Sequence, residues 1–194
     1  MDSPTDFSIV SHNAGLEPGC FAITFERKYY QRGNSIVKRS LRPHEFHHGA
    51  HRPYVPRLRY ETLMNEAACL RFIRNYTNIP VPEVYCDFED DGAYYLVTEY
   101  IHGVRMADLQ THEEFIVSRE LGHHLATLKT LTSNRLGGPS SIVIPPRRVM
   151  RHTNIHHWSL MASDQEEYVF CHNDLTQSNV IVDPETLAIK AIID

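Results

Sequence analysis

The sequence has no long hydrophobic run and little that would mark a secreted, membrane or nucleic-acid-binding protein. No segment reaches the roughly 20 apolar residues of a membrane span, and the first residues lack the basic start and apolar stretch of a signal peptide. A net charge of -5 and a pI near 6.2 leave no basic surface suited to nucleic acid. We therefore expect a cytoplasmic protein whose partners are small molecules.

Cysteine is also scarce, and its spacing excludes two common structural devices. The four cysteines form no CxxC pair, which argues against a zinc ribbon or a disulfide framework and favours reduced thiols. What the sequence does contain is 42% hydrophobic residues in a chain of 194, enough to bury a core. We expect one domain or two small lobes.

The first structured region is predicted to contain two hairpins and a helix. The runs CFAITFERKYYQ and SIVKRS flank the turn signal Arg32-Gly33-Asn34, and the second run carries Lys38. A helix is predicted from about Leu58 to Asn75, where two prolines follow. Its apolar positions, spaced by four and three, are Leu63, Ala67, Leu70 and Ile73, with Glu66 on the same face. VYCDF and YYLVTEY then form the second hairpin around Glu89–Gly92.

The second region is predicted to be mainly helical before it ends in another hairpin. A short helix is predicted at 105–109, and a longer one at 113–131. The buried stripe expected on this longer helix is Val117, Leu121, Leu125 and Leu128. Residues 139–168 have little periodicity and are predicted as loop with short helical pieces. The closing hairpin pairs the strand 180–182 with a strand whose alternating apolar residues are Leu187, Ile189, Ala191 and Ile193.

Chemistry is predicted beside this closing hairpin. His172, Asp174 and Asn179 fit the pattern HxDxxxxN, the catalytic loop of kinase-like phosphotransferases. There an Asp orients an acceptor hydroxyl and takes its proton, and an Asn offers a neutral oxygen to a magnesium ion. Asp194 adds a carboxylate where the hairpin ends. Taken singly, a loop-capping Asp174, a turn Asn179 and a solvated Asp194 are equally good interpretations; together they favour the functional one.

Lys38 and Glu66 form a second candidate pair. A lone lysine in a strand normally faces water, but Glu66 lies on the apolar face of the next helix, where a carboxylate needs a cationic partner. Such a pair would direct the lysine ammonium at the α and β phosphates of a nucleotide. Glu61 is the competing carboxylate, projecting from a different part of the helix.

Several segments together resemble the aminoglycoside phosphotransferase and choline kinase-like family, in its branch from filamentous fungi. They are NEAACLRFIRNYTNIPVPEVY, LVTEYIHG, GGPSS and FCHNDLTQSNVIVDPETLAIKAIID, and the resemblance covers roughly residues 20–194. It implies an α+β, protein-kinase-like fold of two lobes. A leader at 1–19 would precede an N-lobe of antiparallel sheet and one helix at 20–100, and an incomplete, mainly helical C-lobe at 101–194.

The resemblance also implies roles for particular residues. Asp174 would be the catalytic base, Asn179 and Asp194 the Mg²⁺ ligands, Lys38 the phosphate-binding lysine and Glu66 its partner. Thr98 would stand at the back of the adenine pocket, with Glu99, Tyr100 and Ile101 as the connector whose backbone binds the base. An ordinary edge strand is the alternative for this last segment. The implied cofactors are ATP, with GTP as the alternative, and Mg²⁺.

Three departures from the family pattern stand out. The first hairpin has no glycine-rich phosphate loop, which leaves the affinity for ATP open. The fungal relatives continue past the last Asp with Trp-Glu and a helical segment, so the resemblance implies a C-terminally truncated chain, an exposed stripe on the helix at 113–131 and marginal solubility. The insertion carrying His44, His47, His48 and His51 is unusual, and a polar loop explains it better than a metal site.

The sequence therefore predicts a Mg²⁺-dependent phosphotransferase that moves the γ-phosphate of ATP to a hydroxyl of a small molecule. The alternative from another class is a catalytically inactive nucleotide-binding or interaction module of the same fold. A protein kinase is disfavoured because Ile192-Ile193-Asp194 is not followed by Phe-Gly and Asn173 stands where such kinases carry Arg.

Overall fold

The computed structural model describes residues 17–47, 55–146, 149–150, 152–153 and 162–194. By its internal contacts the chain divides into two units, Met1–Leu63 with Tyr85–Tyr100, and Met64–Val84 with Ile101–Asp194. The boundary after Tyr100 coincides with the one predicted from the sequence. Residues 64–84, by contrast, group with the second unit, although the sequence prediction included them in the first region. Residues 1–16 of the predicted leader at 1–19 lie outside the described residues, and so do His48 and His51.

The first unit is built on a five-stranded sheet with the strand order β1-β2-β3-β5-β4. The strands are β1 Cys20–Ile23, β2 Arg27–Arg32, β3 Ser35–Ser40, β4 Val84–Asp90 and β5 Ala93–Glu99. β2 pairs antiparallel with β1 and β3, and β3 pairs antiparallel with β5. Both predicted hairpins are confirmed. The run CFAITFERKYYQ, however, is two strands rather than one, because a turn at Thr24 to Arg27 reverses the chain.

One face of this sheet carries a buried cluster of charges, which we call the sheet charge cluster: Glu17, Lys28, Tyr30, Arg39 and Glu45. Arg39 is 1% exposed and forms an ion pair of 2.6 Å with Glu45. Lys28 contacts both carboxylates, at 2.7 Å from Glu17 and 2.6 Å from Glu45. The Tyr30 hydroxyl donates to Glu17 at 2.6 Å and accepts from Arg39. Burial of so many charges is tolerated because each one has a partner of opposite sign.

The predicted first helix is confirmed as α1, Arg59–Tyr76. Its buried residues are the four expected from the spacing: Leu63, Ala67, Leu70 and Ile73. The helix ends where Thr77 donates through its hydroxyl to the carbonyl of Ile73 at 2.8 Å, just before Pro80. The division between the two units falls within α1, between Leu63 and Met64.

The second unit contains the helix α2, Thr111–Lys129, and a three-stranded sheet of order β10-β9-β6. Its strands are β6 Val104–Arg105, β9 Val180–Val182 and β10 Ile189–Ile192; a separate pair joins β7 Thr132–Ser133 to β8 Tyr168–Val169. The short helix predicted at 105–109 is a 3-10 turn, Met106–Asp108. A hydrophobic core joins these elements and consists of Ile73, Ile79, Met106, Val117, Leu128, Val180, Val182, Ile189 and Ile192.

Two sequence predictions in this unit are wrong in detail. Leu125 is predicted in the buried stripe of α2 but is 37% exposed. Val117 and Leu128 are buried as that stripe predicts, so the exposure expected of a truncated chain is wrong at these two positions. His124 takes the inward position, since its side chain is only 13% exposed. In β10 the strict alternation breaks at an irregularity of register between Ile189 and Ala191, so that Ile192 rather than Ile193 is buried.

Among the described residues, none of the helices is both long enough and apolar enough to span a bilayer.

Candidate active site

The predicted catalytic loop is a tight turn in the second unit. The N–H of Asp174 donates to the carbonyl of His172 at 2.8 Å, and the intervening Asn173 has a positive φ of 63°. Asparagine tolerates this left-handed conformation better than most residues. The Asn173 side chain also donates to the carbonyl of Ile144 at 3.5 Å. The turn leaves the carboxylate of Asp174 exposed to solvent.

Asn179 links the catalytic loop to the closing hairpin through two hydrogen bonds. Its side-chain Nδ2 donates to the backbone carbonyl of Asp174 at 2.9 Å. Its own backbone carbonyl accepts from the N–H of Ile193 at 2.9 Å, directly before Asp194. The three residues predicted to act together, Asp174, Asn179 and Asp194, therefore lie on segments that are hydrogen-bonded to one another. The first bond is local and spans the 3-10 turn Gln177–Asn179, which β9 follows at once. The second joins the two ends of the closing hairpin.

The charges of Asp174 and Asp194 both influence the pKa of His172. Burial lowers the pKa of His172 because the imidazolium loses its hydration, while the charge of Asp194, a hydrogen bond with the Ile193 backbone and the charge of Asp174 act in the opposite direction. Within the described part of the chain, the buried Nδ1 of His172 has no hydrogen-bond partner. The loop histidine is thus half-buried and lies in the field of the two predicted functional carboxylates.

The donor set at this site is chemically suited to magnesium. Mg²⁺ prefers oxygen ligands and usually takes only one or two from protein carboxylates, with the rest from water and phosphate. Asp194 supplies a carboxylate, and because Asn179 uses its Nδ2 toward Asp174, its Oδ1 is the atom left to face a cation. No cluster of three or more His, Cys, Asp or Glu side chains that could hold a metal occurs within the described ranges. The fit therefore rests on two protein ligands.

The candidate nucleotide residues of the first unit lie on β3 and β5. Lys38 is 7% exposed and lies opposite Tyr29 on β2 and Leu96 on β5. Thr98, also buried, faces Ile36 across the same pair of strands, two residues from the Lys38 row. Because side chains alternate along a strand, Lys38 and Thr98 share one face of the sheet, opposite to Arg39.

Part of the connector backbone at the end of β5 is paired or hydrogen-bonded within the sheet. Glu99 is the last residue of β5 and lies opposite Ser35. The N–H of Tyr100 donates to the carbonyl of Asn34 at 2.9 Å, so this amide is used within the protein. Ile101 is the first residue of the second unit's second segment. A role of the connector in binding a base therefore depends on the remaining backbone groups of Glu99, Tyr100 and Ile101.

Glu66 is half-buried on α1, in the second unit, whereas Lys38 belongs to the first. Their pairing stays a prediction, and Glu61, which is also half-buried, stays its alternative. Glu66 acts on a neighbour within its own helix. Burial first, and then the negative charge of Glu66, raise the pKa of the Cys69 thiol to about 12. Burial of the Cys69 thiol is thus the main cause of this raised pKa, and the charge of Glu66 adds to it.

A contact between α1 and the segment after α2 escaped the sequence prediction. The Ser140 hydroxyl donates to the side-chain oxygen of Asn65 at 2.6 Å and accepts from the N–H of Ile142. Gly138 lies so close that a Cβ there would come within 2.7 Å of the same Asn65 oxygen. The only hint in the sequence was the cluster GGPSS, because small residues permit a close approach. The pairing itself is long-range and has no local signature.

The arrangement of sheet, helices and closing hairpin has the fold of the protein-kinase-like phosphotransferases. A crystal structure of an aminoglycoside-3'-phosphotransferase of type VIII matches with a TM-score of 0.53 and 17% identity, covering 92% of this chain and 72% of that one. The α+β fold class predicted from the sequence is confirmed. A weaker likeness, with a TM-score of 0.47 and 16% identity, is to WbdD, over 90% of this chain and 32% of that chain.

Sequence comparison also finds a similarity to an aminoglycoside phosphotransferase. A curated relative, aminoglycoside 3'-phosphotransferase of Streptomyces fradiae, is 29% identical over 157 residues, covering 68% of this chain. The match extends over 57% of the relative, so the chain corresponds to little more than half of its length. No family model matches the chain. The resemblance to the aminoglycoside phosphotransferase family, predicted from the motifs, is confirmed by this relative.

Proposed function

We propose that this chain carries the nucleotide-binding and catalytic part of a phosphotransferase that moves the γ-phosphate of ATP to a hydroxyl of a small molecule. The observation that carries the proposal is the double hydrogen bonding of Asn179, to the carbonyl of Asp174 and from the N–H of Ile193. It supports a site in which a candidate base, an amide oxygen and the carboxylate of Asp194 lie around one hairpin. These are the groups that in-line phosphoryl transfer needs for orienting the acceptor and for holding a metal on the phosphates.

In this proposal Asp174 orients the acceptor hydroxyl and accepts its proton as the new bond to phosphorus forms. Its exposure supports the role, because an acceptor must reach the carboxylate directly. Asn179 and Asp194 would hold Mg²⁺, which neutralises charge on the phosphates when it is bound. Lys38 would bind the α and β phosphates with Glu66 as its partner, and Thr98 with the connector Glu99, Tyr100 and Ile101 would receive the base. GTP is the alternative nucleotide.

The acceptor, compartment and partners belong to the proposal as well. Because the Streptomyces fradiae relative is an aminoglycoside 3'-phosphotransferase, aminoglycosides are the first acceptors to assay. The four cysteines are free, as expected for thiols kept reduced in the cytoplasm, the location that we propose. We propose no nucleic-acid partner, given the net charge of -5.

A specific observation favours the second candidate, a catalytically inactive nucleotide-binding or interaction module. The turn between β1 and β2 contains no glycine, and its amides serve the turn itself. The N–H groups of Glu26 and Arg27 both donate to the hydroxyl of Thr24, at 3.3 and 3.1 Å. These amides are therefore engaged and do not form the open cradle that a glycine-rich loop offers to phosphates.

The test separates binding from turnover. Mg²⁺-dependent ATP binding is measured by calorimetry on the wild type and on Asp194→Ala, and phosphate transfer is then followed with a panel of hydroxyl acceptors. We expect binding in the wild type that weakens in Asp194→Ala. Binding without any transfer supports an inactive nucleotide-binding module. No binding contradicts the phosphotransferase and leaves only an interaction module.

Asp174→Asn tests the chemical step. We expect turnover to fall by roughly two to four orders of magnitude with nucleotide binding retained, because a base acts in the transition state. Asp164→Asn, an exposed carboxylate elsewhere in the second unit, is the control and is expected to keep wild-type turnover. Equal turnover in Asp174→Asn removes Asp174 from the role of base.

A further inference from the structure

Two carboxylates flank the buried stripe of α2, and both reach toward the candidate site. Glu114 and Glu120 lie three residues before and three residues after Val117, which is fully buried. Three residues of an α-helix turn the side chain by about 300°, so the two carboxylates project about 60° to either side of Val117. Both side chains are half-buried rather than fully solvated. They are therefore placed on the two edges of the helix face that packs on the core.

Glu120 binds the outer edge of β10. The N–H of Ile189 donates to Glu120 Oε2 at 3.1 Å. β10 is the edge strand of its sheet, because the strand order is β10-β9-β6. Backbone groups on the outer side of an edge strand have no neighbouring strand to bind, and a partly buried one requires another partner. The second outer bond of β10 is backbone to backbone, from the N–H of Ile192 to the carbonyl of Pro80 at 2.9 Å.

Glu114 binds the loop on the other side of the site. Gln177 Nε2 donates to Glu114 Oε2 at 3.2 Å. Gln177 opens the 3-10 turn that ends at Asn179, between the candidate base and β9. One helix thus contacts both segments that carry the candidate metal ligands, the turn with Asn179 and the strand that leads to Asp194.

We propose that Glu120, assisted by Glu114, is a positioning residue that sets Asp194 relative to Asn179. The inference rests on the proposed function, since the two ligands matter only if the site binds a metal with its nucleotide. The contact of Glu120 with β10 does not depend on that function. Asp194 lies two residues beyond the last residue of β10, and the irregularity of register between Ile189 and Ala191 weakens the pairing of β10 with β9 at this point. The hydrogen bond from the Ile189 N–H to Glu120 on α2 therefore holds β10 where its pairing with β9 is interrupted.

The test uses two conservative variants that separate reach from charge. Glu120→Gln keeps the length of the side chain and one oxygen acceptor but loses the charge. Glu120→Asp keeps the charge but is one methylene shorter, so its carboxylate falls short of the Ile189 N–H. Glu120→Ala removes both. Glu185→Ala, an exposed carboxylate on the β9–β10 turn, is the matched control.

Two readouts are measured on each folded variant: amide hydrogen exchange of residues 189–194, and the Mg²⁺ concentration that gives half-maximal ATP binding by calorimetry. For Glu120→Ala and Glu120→Asp we expect faster exchange and a rise of about 10-fold or more in that Mg²⁺ concentration, as for other residues that orient metal ligands. Glu120→Gln and Glu185→Ala are expected to stay within about threefold of the wild type, because the acceptor or the whole contact is retained.

The outcomes distinguish this inference from the proposed function. Unchanged exchange in both Glu120→Ala and Glu120→Asp overturns the contact itself. Faster exchange with an unchanged Mg²⁺ requirement overturns the positioning role. If the wild type binds no ATP at any Mg²⁺ concentration, the proposed function fails and the positioning role fails with it, while the exchange data still report whether Glu120 holds β10. Should Glu120→Ala not fold, Glu120→Asp decides alone.

Discussion

At the scale of single residues, the sheet charge cluster has the strongest electrostatics of the first unit. Burial alone would raise the pKa of Glu45, but hydrogen bonds from Arg39 and Lys28 and the N–H of Arg42 hold it well below its ordinary value. Burial and a hydrogen bond to Glu17 raise the pKa of Tyr30. At neutral pH the two carboxylates and two cations of the cluster are therefore charged, the Tyr30 hydroxyl is neutral, and each charge has a partner of opposite sign. Removal of one member leaves its partners buried without compensation.

The lowered pKa of Glu45 predicts acid sensitivity. A carboxylate with a depressed pKa in the folded state contributes stability above its unfolded value of 4.5, and that contribution is lost as the pH falls toward the folded value. We expect the free energy of unfolding to decline below about pH 5. In Glu45→Gln, the free energy at pH 7 should fall by about 3 kcal/mol, and the decline in acid should become shallower.

Denaturant unfolding at several pH values checks this expectation. Glu89→Gln is the control, an exposed carboxylate on β4 of the same unit, and it should change the free energy of unfolding by less than about 0.5 kcal/mol. If the free energy of unfolding declines equally steeply in acid for Glu45→Gln and the wild type, Glu45 is not the source of the acid sensitivity.

At the scale of elements, turn geometry decides where glycine is required. Asp91 and Gly92 both have positive φ, 46° and 66°, in the two-residue connection between β4 and β5. Such mirror-image turns match the twist of a hairpin. Gly122, in contrast, lies within α2, and a Cβ there would meet no atom within 4 Å. The two glycines therefore differ in conformation while each has space for a methyl group.

Alanine at these two glycines should have opposite effects. Gly92→Ala places a Cβ on a left-handed residue and is expected to lower the free energy of unfolding by about 1 kcal/mol. Gly122→Ala reduces the conformational freedom of the unfolded chain at an open helical position and is expected to raise it by about 0.5–1 kcal/mol. Thermal and denaturant unfolding of both variants check the sign. A destabilised Gly122→Ala would mean that the face of α2 at this position is occupied.

The inward face of α2 shows a limit of periodicity. A spacing of four then four and a spacing of four then three both fit one face of a helix, so Leu125 and His124 were equally compatible with Val117 and Leu121. Hydrophobicity favoured Leu125, yet His124 faces inward, where its Nε2 lies 3.8 Å from Glu120. Glu120 is a polar neighbour for this histidine. No pattern in the sequence predicts the contact. Tertiary surroundings decided what the local pattern left open.

At the scale of the whole molecule, what could be predicted from the sequence is what local signals encode. The hairpin around Gly33, the helix α1 and the loop from His172 to Asn179 each follow from neighbouring residues, through turn chemistry, periodicity or motif spacing. The contact of Arg39 with Glu17 in the sheet charge cluster, that of Asn65 with Ser140 and the bond of Glu120 to β10 join residues 22, 75 and 69 positions apart. Polar pairs at such separations leave no periodic trace, so only the folded chain reveals them.

Ligand binding should be visible as a gain in the stability of the folded chain. At a MgATP concentration about 100 times its Kd, binding to the folded state alone adds about 2.7 kcal/mol. For a chain of this size each kcal/mol corresponds to about 2–4 °C, so the melting temperature should rise by about 5–10 °C. Differential scanning fluorimetry with ATP and Mg²⁺, each alone and together, checks this. Asp194→Ala should show a much smaller rise, and an equal rise would exclude Asp194 as a ligand.

The burial of Cys69 has a practical consequence for spectroscopy. With a pKa near 12 this thiol is almost never a thiolate at neutral pH, and alkylating reagents attack thiolates. Cys20 is buried, whereas Cys86 and Cys171 are exposed. After Cys86→Ser, a maleimide dye should therefore attach selectively at Cys171, one residue before His172. One substitution thus leaves a fluorescent reporter position at the entrance to the candidate catalytic loop, with no new cysteine introduced.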